Sequence, residues 1–354
     1  MTPGLEGMIA ACGHPALREL GGADLGSALA QALATDTPAT LVAEEQLKPR
    51  VFRLRFASGE RRRSLVVKRM DPERARRNEL VIRRWLPDEG LRRAAPALLG
   101  AAAERSGRWV WHVYEDLGPF ELATDAPDRG RVAAAARRIA AIHARFAAHP
   151  VLAECRLHGE NHALPDLMSN LSDARHALDR LRPPHLIPGE ALAAVRDRLL
   201  DRIQRQLDAA GSRARELEAW GGPETLLHGD LWATNTFVEP VGSGHKVRFI
   251  DWDRAGVGSP SYDLSTFLMR FAPEHRPWIL AIYRDAVRGA WSMPGRVELD
   301  HLFELAECAR YANRAIWPAL ALLRDRAPWA LDELKAVESW FEALRPVLPE
   351  ETGR

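Results

Sequence analysis

The 354-residue chain holds 49 basic and 48 acidic residues, a formal charge of +1, with 46% apolar content. This balance leaves no electrostatic footprint for nucleic acid or for an anionic membrane surface, and no apolar run approaches a membrane span. Met1 to Leu20 lacks the basic-then-apolar order of a secretory signal, so a cytoplasmic location is expected. The apolar content suffices for one large core or two moderate ones. Cys12, Cys155 and Cys308 are few and far apart, as reduced, buried thiols would be, and do not form a disulfide framework. Among the basic residues only Lys48, Lys68, Lys246 and Lys335 are lysine, so a lysine here invites a specific reason.

Residues 1–39, Ala-rich and broken by Gly21-Gly22, read as a weakly defined N-terminal extension. Strands begin at Thr40. Phe52, Leu54 and Phe56 alternate with Arg53 and Arg55, and Ser58-Gly59 turns the chain into an apolar strand ending at Lys68. Asp71 as N-cap and Pro72 at the first helical position open a helix, with Val81/Trp85 and Ile82/Leu86 on its buried side and Pro87 at its end. Glu79 sits mid-helix, where Arg76 and Arg83 are available as local partners. Trp109 to Tyr114 is an apolar strand running into Glu115-Asp116-Leu117-Gly118-Pro119. Val132, Ala135, Ile139, Ile142 and Phe146 mark one helix. A second is expected over 189–210, with Gly211 as its stop. His158-Gly159-Glu160-Asn161-His162 does not read as a metal site, because Gly159 and Pro165 argue against a shared helix face.

Residues 226–253 carry the chemistry. His228-Gly229-Asp230 is followed by Asn235, and Gly242-Ser243-Gly244 supplies the turn of a hairpin pairing Thr236–Val238 with Val247–Ile250. That register brings Asn235 near Asp251. Together they offer hard oxygen ligands suited to Mg²⁺, and Asp230 is left to accept a proton. The spacing H-x-D-x-x-x-x-N, with a further Asp after a hairpin, is a phosphoryl-transfer pattern. Beyond it, Asp263 opens a helix bearing Phe267, Leu268 and Phe271. Only nine residues separate Asp253 from Asp263, too few for a polypeptide-docking activation segment, so the acceptor should be a small molecule.

With Gly229 between His228 and Asp230, and Ile250-Asp251-Trp252-Asp253 after the hairpin, the chain resembles the aminoglycoside phosphotransferase and choline kinase family. The resemblance implies a two-lobe, protein-kinase-like α+β fold: a nucleotide-binding small lobe over 40–114, antiparallel with one helix, a hinge at 115–118, and a mostly helical lobe over 119–354. It implies transfer of the γ-phosphoryl of ATP, or GTP, to a hydroxyl of an aminoglycoside, amino alcohol or sugar. Asp230 would be the base, His228 would support its loop, and Asn235 and Asp251, assisted by Asp253, would hold Mg²⁺. Lys68, placed by Glu79, would hold phosphates; Glu115 and Leu117 would face the nucleobase through their backbone; and Asp263 would brace the catalytic loop. The chain departs from the kinase pattern between the first two strands. Glu44 to Arg50 contains no glycine, so Lys48 and Arg50 would have to cover the phosphates as charges.

The stretch 274–347 reads as helices lining the acceptor pocket. Asp300, Glu304 and Glu307 form an acidic stripe at helical spacing, either a seat for a cationic acceptor or a solvated flank. Trp291, Tyr311, Trp317, Trp329 and Trp340 are material for an aromatic cage or for core. Two rivals stand beside the kinase reading. One is a pseudokinase that binds nucleotide without transfer, and the other is a two-metal hydrolase, which leaves Lys68 and Glu79 without a role.

Overall fold

The computed structural model describes residues 22–33, 39–344 and 346–349. Cys12 and the expectations for residues 1–20 lie outside the described residues. The chain divides into two compact units, Met1–Leu122 with Thr234–Ala255, and Ala123–Ala233 with Gly256–Arg354.

In the first unit, helix α1 (Gly22–Leu33) precedes strands β1 (Thr40–Lys48), β2 (Val51–Ser58) and β3 (Arg61–Met70). Period-2 alternation decides which face of this sheet is buried. Phe52, Leu54 and Phe56 join Leu65, Val67, Trp111 and Val113 in a core closed by Leu25, Leu29 and Leu33 of α1. About 25 cal/mol per Å² of buried apolar surface drives that closure. Helix α2 (Pro72–Leu80) starts as expected, the Asp71 side chain accepting from Arg74 N at 3.0 Å. It runs on through a π-helical turn, Val81–Trp85, to Asp88, so that Pro87 lies in the final turn. Strands β4 (Leu98–Ala103) and β5 (Val110–Glu115) complete a five-stranded antiparallel sheet of order β1-β2-β3-β5-β4.

The second unit is mostly helical. It holds α3 (Arg129–Phe146), α4 (Leu152–His158), a short strand β6 (Glu160–Asn161), α5 (Leu164–Asp179), α6 (Glu190–Asp208) and α7 (Ala210–Trp220). The stripe expected on α3 is buried throughout. Helices α4 and α5 were not expected from sequence. Gly211 does not stop a helix, because α6 already ends at Asp208 and Gly211 lies in the first turn of α7. Strand β7 (Thr225–Leu227) leads into His228. Hairpin strands β8 (Thr236–Val241) and β9 (Gly244–Phe249) follow, and their contacts group them with the first unit, a correction to their expected place in the helical lobe. Strand β10 (Gly256–Gly258) sits between β6 and β7. A Cβ on Gly256 would stand 2.0 Å from the Glu160 carbonyl oxygen, so only glycine permits that approach. Helices α8 (Ser261–Leu268), α9 (Arg276–Val287), α10 (Arg296–Asp325) and α11 (Trp329–Glu342) end the described fold. Among the described residues no helix is long and apolar enough to cross a membrane. Cys155 and Cys308 are buried free thiols, as expected, and burial pushes both up to about 12.

Candidate active site

The side of the β1-β5 sheet away from α1 carries the polar group of the first unit. Lys68 on β3 has Val51 and His112 as cross-strand neighbours and shares a face with Val66. Its ammonium reaches the Asp251 carboxylate and Asp253 Oδ2, the latter at 2.7 Å. Burial works against this charge, yet the two carboxylates prevail and raise the Lys68 pKa. Asp253 is pulled the other way: burial, with Asp251 beside it, raises its pKa against the pull of Lys68. Asn78 donates to Asp253 Oδ1 at 2.5 Å, and Arg77 donates to the Asp253 carbonyl at 2.5 Å.

The hairpin forms with the expected register. Thr236 pairs with Phe249, and Ile250 N donates to the Asn235 carbonyl at 2.9 Å, so Asn235 stands beside the start of Ile250-Asp251. Asp251 takes a left-handed backbone, φ +69°, an uncommon conformation for a non-glycine residue. It aims its carboxylate at Lys68 instead of continuing the strand.

A cavity of about 700 Å³ opens over this cluster within the first unit. Its walls include Lys48, Val66, Lys68, Asn78, Glu115, Leu117 and Asp251. Glu115 spends its side chain on Ala97 N (2.9 Å) and Arg248 (3.1 Å), as backbone recognition at 115–118 would allow. Asp116 accepts from Arg53 at 2.8 Å, Ser64 at 2.6 Å and Gly118 N at 3.0 Å. Burial opposes its charge, but these donors hold it below the usual carboxylate range.

Two expectations for this unit are corrected. Glu79 is not paired with Lys68: its carboxylate meets His112 Nε2 at 3.1 Å, and His112 Nδ1 meets the Tyr114 hydroxyl at 2.8 Å. The β3-β5 register explains this, because it sets His112 beside Lys68 and under the helix, where the imidazole takes the carboxylate first. The hydrogen bond from His112 is also the main cause of the lowered Glu79 pKa. The second correction concerns the glycine-free connection. Residues through Lys48 belong to β1, leaving Pro49-Arg50 as a two-residue turn. Arg69 N donates to the Arg50 carbonyl at 2.9 Å, and the Arg50 guanidinium lies 4.2 Å from the centre of the Trp109 ring. Arg50 therefore packs on an aromatic face, while Lys48 lines the cavity.

In the second unit the His228-Gly229-Asp230 loop is held from behind. Gly229 adopts φ +80°, open to glycine at little cost. The fully buried Asp263 accepts His228 N at 2.7 Å and Gly229 N at 2.9 Å. His143 lies between Asp263 (3.3 Å) and the Tyr283 hydroxyl (2.7 Å). Burial pushes the Asp263 carboxyl up, but the bonds from His143 and the loop outweigh it and keep the group ionised. Asp263 thus serves the loop and does not cap its own helix. His143 and Tyr283 escaped the sequence reading, for their only signal was a polar histidine in the apolar stripe of α3.

The acidic stripe is neither a solvated flank nor an open cation seat. Glu304 accepts from Arg213 at 3.1 Å and Gln206 at 2.8 Å, while Glu307, fully buried, takes Ser265 (2.8 Å) and Arg310. Asp300 accepts Leu348 N at 2.9 Å. Tyr311 packs edge-to-face on Phe341 and tilted on Trp340, whereas Trp317 and Trp329 are exposed. Among the described residues no three His, Cys, Asp or Glu side chains gather as a metal cluster.

The antiparallel sheet with its helix, together with a mostly helical unit that carries the H-x-D loop, defines a protein-kinase-like phosphotransferase fold. The sequence profile of the phosphotransferase enzyme family matches residues 43–302, and the chain belongs to that family. No curated protein sequence matches it. Solved structures do. Spectinomycin phosphotransferase, in complex with ADP and spectinomycin, is 14% identical over 89% of this chain and 92% of its own, with a TM-score of 0.57. Choline kinase from Cryptosporidium parvum is 13% identical over 88% and 92%, TM-score 0.55. Macrolide 2'-phosphotransferase from Brachybacterium faecium is 17% identical over 91% and 98%, TM-score 0.54. At these identities the likeness is one of fold.

Proposed function

We propose that the protein transfers the γ-phosphoryl group of ATP or GTP, as the Mg²⁺ complex, to a hydroxyl of a small molecule. The observation that carries this reading is Lys68 held by Asp251 and Asp253 on the wall of a cavity of about 700 Å³, in a chain of this family. Lys68 is the phosphate-binding cation, with Asp253 and Asn78 fixing its position. Glu115 and Leu117 offer backbone groups to the nucleobase. Glu79 acts indirectly, by holding His112 beside Lys68. The division of labour is that of residues 40–114 for nucleotide, 115–118 as hinge and 119–354 for acceptor and base, with the hairpin strands lending their metal ligands to the nucleotide side.

The donor set suits Mg²⁺. Asp251 and Asn235 supply hard oxygens from adjoining positions of the hairpin, and a site with so few protein ligands fits an ion that keeps water and takes phosphate oxygens. When bound, that ion neutralises charge on the β- and γ-phosphates. Asp230, on the loop pinned by Asp263, takes the hydroxyl proton as the acceptor oxygen bonds to phosphorus and the bond to the leaving nucleoside diphosphate breaks. His228 supports that loop.

Favouring the rival pseudokinase is the Pro49-Arg50 turn, which has no glycine to bring backbone N–H groups onto phosphates. Following nucleotide consumption with Mg²⁺ and a panel of hydroxylated amines, sugars and acids separates the two. Acceptor-dependent release of ADP or GDP is expected. Nucleotide binding without release across the panel would leave the pseudokinase.

A further inference from the structure

The surroundings of Asp230 in the second unit also bear on which acceptor the protein takes, and this step rests on the phosphotransfer reading above. Trp232 N donates to the Asp230 carbonyl at 2.8 Å, so the indole and the base belong to one turn of chain. The Arg270 guanidinium lies 3.9 Å from the centre of that indole. Arg270 is half-buried just beyond α8, its Nε is buried with no acceptor, and no carboxylate pairs with it among the described residues. A stacked guanidinium lacking a counter-charge is a fork prepared for an anion from outside.

Nearby charges point the same way. Arg310, 4.2 Å over the Tyr262 ring, is opposed by burial but held protonated by Glu307 first and then by Tyr262, Asp230 and Asp263. Glu304 and Glu307, the acids that could have received an ammonium group, already have partners, one of them cationic in each case: Glu304 takes Arg213 and Gln206, and Glu307 takes Arg310 and Ser265 through Oε1 while its Oε2 is buried. A cationic acceptor would meet an uncompensated guanidinium and two neutralised acids, whereas an anionic one would find a partner in Arg270.

We infer that the acceptor bears, besides its hydroxyl, an anionic oxygen group of the carboxylate or phosphate type, recognised by Arg270 on the face of Trp232. Arg270 is then a specificity residue, and Asp230 remains the base.

The test measures melting temperature with Mg²⁺ and a non-hydrolysable ATP analogue present. Glycerate, gluconate and homoserine probe carboxylates, and glycerol 3-phosphate and glucose 6-phosphate probe phosphates. Glycerol, glucose, choline and kanamycin are the neutral and cationic counterparts. At least one anion should stabilise the wild-type protein more than its counterparts do, and the carboxylate and phosphate arms report which group is read. Arg270→Gln should weaken that anion about tenfold to a hundredfold, with partial recovery in Arg270→Lys, while both keep the shift caused by the nucleotide analogue alone. The inference is overturned if no anion exceeds its counterpart in the wild type, if choline or kanamycin stabilises best, or if the anion shift survives in Arg270→Gln. The wild-type panel decides even if a variant does not fold. An absent nucleotide shift in the wild type would instead count against phosphotransfer itself.

Discussion

The two aspartate centres are built in opposite ways. Asp263 is sealed from solvent, with both oxygens committed to backbone N–H groups and His143. Asp251 and Asp253 keep 28% and 16% of their side-chain surface exposed and share a lysine that a nucleotide could reclaim. The first arrangement fixes a loop, and its energy belongs to folding. The second holds charge on the wall of a cavity where the nucleotide is proposed to bind, and its energy would then belong to binding. Substitutions should therefore separate, with those around Asp263 moving stability and those around Lys68 moving turnover.

The largest effect is expected at Asp230, on the loop that Asp263 holds. Asp230→Asn should lower kcat by about 10²- to 10⁴-fold with nucleotide affinity and melting temperature almost unchanged. Steady-state rates beside calorimetric nucleotide titration check this, and an active variant would remove the base. Next comes the Lys68 centre. Lys68→Ala should cost about 10²-fold in kcat/KM for nucleotide, and Asp251→Asn should damage Mg-nucleotide binding with partial rescue by Mn²⁺. If either variant instead lowers the melting temperature while keeping its specific activity, the contrast between the two centres collapses.

Asp263→Ala should destabilise by about 2 to 5 kcal/mol, because two buried N–H groups and His143 lose their acceptor, as chemical denaturation would register. Its pH signature has a definite sign. A depressed carboxyl contributes stability above its unfolded value of about 3.9, and that contribution is lost as pH falls through the lower folded value. Acid unfolding of Asp263→Asn should accordingly be shallower than that of the wild type below about pH 4. Glu307→Gln sharpens the contrast from another side. It should lower the melting temperature by removing the counter-charge of Arg310, where an exposed amine seat would have changed only an acceptor KM. Smallest is Glu79→Gln, which keeps a hydrogen bond to His112 and should alter nucleotide KM by less than about threefold. A loss as deep as that of Lys68→Ala would restore a direct Lys68–Glu79 partnership during turnover.

What could be read from the sequence was local. The hairpin register, the Asp71 cap, the buried faces of β2 and α3 and the H-x-D-x-x-x-x-N spacing all rest on neighbours within a few residues, where periodicity and turn chemistry decide the outcome. Partners distant in sequence were not legible. Glu79 finds His112 because β3 and β5 align, and Glu304 finds Arg213 because α7 packs against α10. Helical spacing names the face that holds Glu304 and Glu307 but not what covers it, so buried ion pairs looked like surface. Arg270 and Trp232 stand apart by 37 intervening residues. No local pattern announces their stacking.

The Pro49-Arg50 turn has one more consequence. Proline fixes its own φ, the Arg50 carbonyl is bonded to Arg69 N, and the Arg50 side chain rests on Trp109. Little motion is left in it to freeze when a nucleotide enters. A glycine-rich flap gains closeness and gives up disorder, whereas a pinned turn gains nothing by wrapping and forfeits no freedom. Nucleotide association should then carry a small entropic penalty, with departure set by the ionic attraction of the phosphates and not by the opening of a lid.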